Sequence, residues 1–275
     1  MARPVWSGSI SFGLVNLPVK AYTAVRDHDV HFHQVDKTSG SRIRHRKVSE
    51  SSGREVNEPD VEMGFEISKG RYVTFDKDEL RALRPASTKT IEVDEFVALE
   101  EIDPIYYDRT YWLGPDGDSA KKAYQLLLAA MADRGRVAIG TVVMRNKQYL
   151  TAIRPLDGAL AMSTMRFADE VVPRSSGEGV PTRRGKPEAA ALKMAGQLID
   201  GLAADWNPDK YHDTYVEELR KRIKAKKAGK EIVDEPVTGE RPANVVDLVA
   251  ALEASLEAAK RPRKRPAKKR ARKSA

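Results

Sequence analysis

The 275-residue sequence predicts a mainly β protein with helices added, its core either a barrel or a sandwich. Three observations predict it. Up to about residue 170 the apolar residues fall in short β-branched and aromatic runs. Gly, Pro, Asn and Asp punctuate those runs as turn residues do. Helical spacing dominates only beyond a polar stretch at 173–187.

The runs come in order. Ile10, Phe12 and Leu14 alternate, as do Val19, Ala21 and Thr23 after a break at Leu17-Pro18. VHFHQV (30–35), RYVTF (71–75), TIEVDEFVAL (90–99), YYDRTYWL (106–113), RVAIGTVVM (136–144), QYLTAI (148–153) and ALAMSTMRF (159–167) are further strands. Two helices interrupt them. DKDELRALRP starts at Asp76 and ends before Pro85, and SAKKAYQLLLAAMADRG opens with Ser119 as N-cap and stops at Gly135. No internal repeat stands out.

PRSSGEGVPTRRGKP (173–187) reads as a linker or exposed loop. Leu192, Ala195, Ile199, Leu202 and Trp206 then share one helix face, closed by Asn207-Pro208. Thr214 and Glu217 have the form of a capping box, followed by a stripe of Tyr215, Leu219 and Ile223 up to Gly229. That stripe reads as packing against the body or a second subunit. After a second linker, Asn244 caps a short helix whose apolar face is Val245, Leu248, Val249, Leu252 and Leu256. Either this face docks on the body or it is a recognition element for another protein, with Leu248, Leu252 and Leu256 as partner-binding residues.

Charge is segregated. The chain carries 48 Lys and Arg against 40 Asp and Glu, a net +8. Ten of those cations lie in the last 16 residues: Lys260, Arg261, Arg263, Lys264, Arg265, Lys268, Lys269, Arg270, Arg272 and Lys273. Without them the chain has 38 bases against 40 acids. A body of that balance binds a polyanion only by sorting its charge into faces. Residues 37–54 hold Lys37, Arg42, Arg44, Arg46, Lys47 and Arg54 against Glu50 alone. Residues 134–156 hold Arg134, Arg136, Arg145, Lys147 and Arg154 and no acid. Residues 90–108 hold seven acids and no base. The pattern points to nucleic acid and the 260–275 segment to a disordered basic tail.

Other chemistry is sparse. The chain has no cysteine, so disulfides and thiolate metal sites are excluded. His28, His31, His33 and His45 cluster, and Asp29 or Asp36 is near enough to complete a metal site, but exposed or DNA-facing histidines are the simpler reading; no metal or cofactor is expected. No P-loop, serine nucleophile elbow or ligase lysine motif is present. Asp60 followed by Glu66 and Lys69 approaches a metal-dependent nuclease pattern, but residues three apart on a strand face opposite sides. The N-terminal segment lacks the apolar run of a signal peptide and no run is long enough to span a membrane, which suggests a soluble intracellular protein.

VWSGSISFGLVNLPVKAY (5–22), RALRPASTKTIEVDEFVALEEIDPIYYDRTYWLGPD (81–116), GRVAIGTVVMRNKQYLTAIRPLDGAL (135–160) and LIDGLAADWNPDKYHDTY (198–215) resemble the prokaryotic Ku family, nearly continuously from Val5 to about Ala228. The resemblance implies a β-barrel core at 1–172 with a ring-forming arm at about 30–75. A linker and helical region at 173–228 follows, then a linker and short helix at 229–259 and the tail. It implies a homodimeric ring on double-stranded DNA ends, repair by non-homologous end joining, recruitment of an ATP-dependent DNA ligase, no catalytic residue, and a place in the cytoplasm with the nucleoid. Some members carry cysteine pairs in the arm; here that stretch reads VSESSGREV (48–56). A ring that accepts any end contacts phosphates and not bases. Arg42, Arg44, Arg46, Lys47 and Arg54 are the first choice for those contacts, with Arg134, Arg136, Arg145 and Lys147 second. The alternative is a histone-like architectural DNA binder without end preference.

Overall fold

The computed structural model describes residues 3–83, 85, 88–183 and 185–229. The predicted helix at 244–259, with Leu248, Leu252 and Leu256, and the basic tail at 260–275 lie outside the described residues. The chain divides into two compact units at Ser176.

The first unit is built on a closed seven-stranded barrel. In chain order the strands are β1 (Trp6–Phe12), β2 (Val15–Thr23), β3 (Met63–Ser68), β4 (Arg71–Phe75), β5 (Thr90–Ala98), β6 (Tyr107–Pro115), β7 (Arg136–Met144), β8 (Lys147–Leu156) and β9 (Ala159–Met165). Around the barrel the order is β1-β2-β6-β9-β8-β7-β5, and β3-β4 is a separate hairpin. Every barrel pairing is antiparallel except β1 with β5, which closes it through Ser9–Thr90, Ile10–Ile91 and Ser11–Glu92. The barrel alternative of the two predicted architectures is therefore the one adopted.

Closure sets β5 tightly between β1 and β7. A Cβ at Gly8 would lie 2.0 Å from the Lys89 carbonyl oxygen, and one at Gly140 would lie 2.0 Å from that of Glu92. Both neighbours of β5 thus carry glycine where its backbone presses against them. Inside, Ile10, Leu17, Val19, Ile91, Leu113, Val142, Ile153, Leu160 and Met162 are buried to within about two per cent and form one core.

Helix α2 (Asp118–Arg134) plugs one end of this core with Ala120, Tyr124 and Met131. The Tyr124 hydroxyl donates to the Leu113 carbonyl at 2.7 Å and accepts from the Leu160 amide at 2.8 Å. Burial pushes its pKa up, partly offset by the Leu160 bond. The predicted cap at Ser119 is corrected. Gly117, at φ +86°, is the N-cap, and Asp118 in the first turn pairs with Lys121 at 2.6 Å. The stop at Gly135 in the left-handed region stands as expected.

Other local expectations shift. Leu14 lies in the β1–β2 turn, fully exposed, and β2 runs unbroken through Pro18, whose carbonyl accepts from Asp116. VHFHQV forms no strand; only Val35 bridges to Arg42. The hairpin strand β3 was unpredicted because MGFEIS has no buried residue and a glycine second in line. Helix α1 (Lys77–Ala82) begins after Asp76 as expected, and Asp76 caps it in a capping box closed by Glu79.

A repeat does exist between β2 and β3. Val35 bridges Arg42 and Val48 bridges Glu55, 13 residues later. The amides of Gly40 and Gly53 bond the carbonyls of Asp36 and Ser49, each at 2.8 Å. The amides of Ser41 and Arg54 bond the hydroxyls of Ser39 and Ser52, each at 3.3 Å. These are two copies of one turn, hidden in sequence because little beyond a valine and a Ser-Gly is identical between them.

The second unit contains α3 (Ala189–Leu202) and α4 (Thr214–Lys227). Helix α3 stops at Leu202, short of the predicted end, and Trp206 instead stacks on Tyr211 with ring centroids 5.4 Å apart. Asp213, not Thr214, caps α4, its carboxylate accepting from the Val216 amide at 3.0 Å. Among the described residues Tyr215 and Ile223 are exposed and Leu219 is half-buried; Val216 is the buried residue of α4.

Gly140→Ala is expected to destabilise the barrel by about 1–3 kcal/mol, since the added methyl meets backbone and not a movable side-chain tip. Urea unfolding with an unchanged midpoint would show that β5 is not pressed against β7 in this way.

Candidate nucleic-acid interface

Strands β2 and β5 flank β1 and run antiparallel to each other, so the chain leaves and re-enters the barrel at one end. Residues 24–89, the arm, are rooted there. The two repeated turns sit in the arm. Arg42, Arg44 and Arg46 fall at alternate positions of the stretch joining them, a spacing that sends extended side chains to one side.

The structure sorts this run into free and engaged cations. Arg46 pairs with Glu55 at 3.1 Å and Lys47 with Glu58 at 2.5 Å. Glu58 also faces Lys77 at 3.6 Å. The Lys47 hydrogen bond, reinforced by its charge and that of Lys77, holds the Glu58 carboxyl below the usual carboxylate range. Arg42, Arg44 and Arg54 are exposed and hold no ion pair among the described residues. In sequence Glu50 is the run's one acid; folding brings Glu55 and Glu58 onto it as well. Asp36 anchors the first turn, its carboxylate accepting from the Ser39 hydroxyl and from the amides of Thr38 and Ser39. Those bonds lower its pKa, that of Ser39 most.

The second run is not one patch. Arg136 opens β7 and Arg145 follows its end. Nine residues of strand at about 3.4 Å each put about 30 Å between them. Arg134 and Arg136 therefore sit at the α2 end of the barrel, and Arg145 and Lys147 at the end where the arm is rooted. Arg134 lies 3.6 Å from Asp133, while Lys147 lies over the Tyr149 ring at 5.3 Å.

Part of the acidic run has local work. Glu101 accepts from the Ala98 amide and Asp103 from that of Ile105, each closing a short turn. Glu66, from the nuclease-like pattern, accepts from the Gly70 amide at the β3–β4 turn. Among the described residues no three His, Asp or Glu side chains converge as metal ligands would. Nor is any described helix long and apolar enough to cross a membrane.

The family model for the Ku70/Ku80 beta-barrel domain matches residues 11–194. The chain is 39% identical over 254 residues to non-homologous end joining protein Ku 1 of Saccharopolyspora erythraea, covering 92% of this chain and 77% of that one. It is 42% identical over 253 residues to non-homologous end joining protein Ku of Anaeromyxobacter sp., covering 92% and 84%. With the protein of the same name from Mycobacterium tuberculosis the identity is 40% over 258 residues, covering 91% and 93%.

Glu55→Gln with Glu58→Gln is expected to release Arg46 and Lys47. If they lie against phosphates, the log–log salt slope for duplex binding steepens by about 0.9 per cation freed. Fluorescence anisotropy across a salt series measures it; an unchanged slope would remove these two cations from the interface.

Proposed function

The chain belongs to the Ku family, and from that membership we propose that it binds double-stranded DNA ends without reading their sequence, in repair by non-homologous end joining. The observation that carries the reading is the arm. Its 42–54 run holds three exposed arginines without an ion pair (Arg42, Arg44, Arg54) and two more cations each held by one carboxylate, and the arm is rooted on one end of a closed barrel. Arginine and lysine on phosphate oxygens supply affinity without base preference, as a protein serving any broken end requires.

The finer reading is a ring. Two copies join through a two-fold seam, their arms enclosing the duplex, because one chain has one arm and a symmetric dimer supplies the other. Arg42, Arg44, Arg46, Lys47 and Arg54 contact phosphates first; Arg145 and Lys147, rooted at the same end as the arm, do so before Arg134 and Arg136. No catalytic role is assigned to any residue. The site of action is the cytoplasm, on the nucleoid.

The ten-cation tail favours one rival, an architectural binder that coats DNA. Truncation after Ala259 separates the two. The truncated protein is expected to bind more weakly, with a shallower salt slope, yet still prefer linear over covalently closed DNA of the same sequence. Equal binding to both forms would contradict the ring and support coating.

The partner in this reading is an ATP-dependent DNA ligase, docked on residues 244–259. Their apolar positions Val245, Leu248, Val249, Leu252 and Leu256 recur at helical spacing between two polar segments. Leu248→Asp with Leu252→Asp places charge where burial penalises it by several kcal/mol. Linear-DNA binding is expected to persist and ligase co-precipitation to vanish; intact co-precipitation would move the dock to the core.

A further inference from the structure

We propose that the open end of the barrel is a binding site for an unpaired nucleotide at the DNA terminus. This rests on the end-binding reading and adds a second ligand to it. Within the described residues of the first unit, α2 plugs one end of the barrel. At the other, where the arm is rooted, a cavity of about 240 Å³ opens between the ends of β1, β6, β7, β8 and β9. A neighbouring cleft of about 420 Å³ shares Asp108, Arg109, Tyr111 and Arg145 with it. Barrel mouths are recurrent ligand sites; the outer cleft is of the size such sites have, about 300–1,000 Å³, and the inner cavity extends it.

The lining has the chemistry of a nucleotide site. Trp6, Tyr111 and Tyr149 are half-buried and belong to the inward face of the barrel. Around them stand Arg109, Arg145 and Lys147, all exposed. The acid in the inner cavity, Asp108, lies 3.8 Å from Arg166; Asp27 borders only the outer cleft. Aromatic faces inside a ring of cations stack a base and hold its phosphate, and the base's identity matters little.

Two features show that the cations are placed and not merely present. Strand β6 shifts register between Tyr107 and Thr110, so Arg109 lies within a bulge at the rim. The buried Thr164 hydroxyl fixes that bulge, accepting from the Arg109 amide at 3.1 Å and donating to its carbonyl at 3.3 Å. Arg145 and Asn146 form the two-residue β7–β8 turn with φ of +51° and +66°. Such turns favour Asn, Asp and Gly; arginine at the first position is conformationally unfavourable, and it sets a guanidinium on the rim.

The test uses Trp6 as a local reporter, with Trp6→Phe identifying its share of the emission. 5′-Phosphorylated tetrathymidylate is expected to quench Trp6. A duplex with a four-nucleotide overhang should also quench it, and a blunt duplex at saturation should not. Arg109→Ala should weaken tetrathymidylate binding about tenfold and leave blunt-duplex affinity unchanged; Arg109→Lys should recover part of the loss. Absence of Trp6 quenching by the overhang, or tetrathymidylate affinity unchanged in Arg109→Ala, would overturn the proposal. Displacement of tetrathymidylate by pentaglutamate at equal concentration would overturn it too, by showing an anion site without base stacking. Failure of the unmodified protein to bind blunt duplex, with quenching by tetrathymidylate intact, would overturn the end-binding reading and leave the mouth site supported.

Discussion

The parallel pairing of β1 with β5 is the constraint on which the rest of the molecule hangs. It turns six antiparallel pairings into a closed barrel, so none of the seven barrel strands presents a free edge. It also requires the chain to leave after β2 and return to β5 at the same end, so whatever lies between projects from one rim. The arm is that excursion. Closure is tight enough that Gly8 and Gly140 have no room for a side chain, which makes the barrel a stiff mount for the arm.

Stiffness matters because the proposed ligand offers little to recognise. Without base contacts, orientation comes from where cations stand relative to the phosphates. The arm's turns are held by short local bonds, Asp36 serving the first and Ser49 and Ser52 the second. Local hydrogen bonds hold both turns, and the Arg46–Glu55 ion pair also ties down the second. Ion pairs to Glu55 and Glu58 moderate the run, so it is less positive than its composition suggests.

The barrel was legible in the sequence to the extent that its strands alternate. RYVTF and RVAIGTVVM have the bounds of β4 and β7, because each is bordered by residues that end strands. Strand β3 was hidden by its exposure, and the segment at 30–35 has strand composition without a partner to pair along it. The family resemblance, carried by strings such as WSGSISFGLVN, was legible where the function of single residues was not. Charge runs were visible as counts, but one dimension cannot show that Arg136 and Arg145 lie at opposite ends of a strand, or that Glu55 folds onto Arg46. Arg109 was missed altogether. It is a lone cation in an acidic and aromatic stretch, and its place at the barrel mouth, near the start of β6, shows only in the fold.

If the duplex end passes through a closed ring, topology and not affinity keeps the protein on DNA once both exits are shut. The most direct measurement loads the protein on linear duplex, ligates the ends into a circle, and then raises the salt. The account predicts that protein stays on the closed circle at salt concentrations that strip it from linear DNA, and leaves when a restriction cut reopens the circle. Release from closed and linear DNA at the same salt would contradict it.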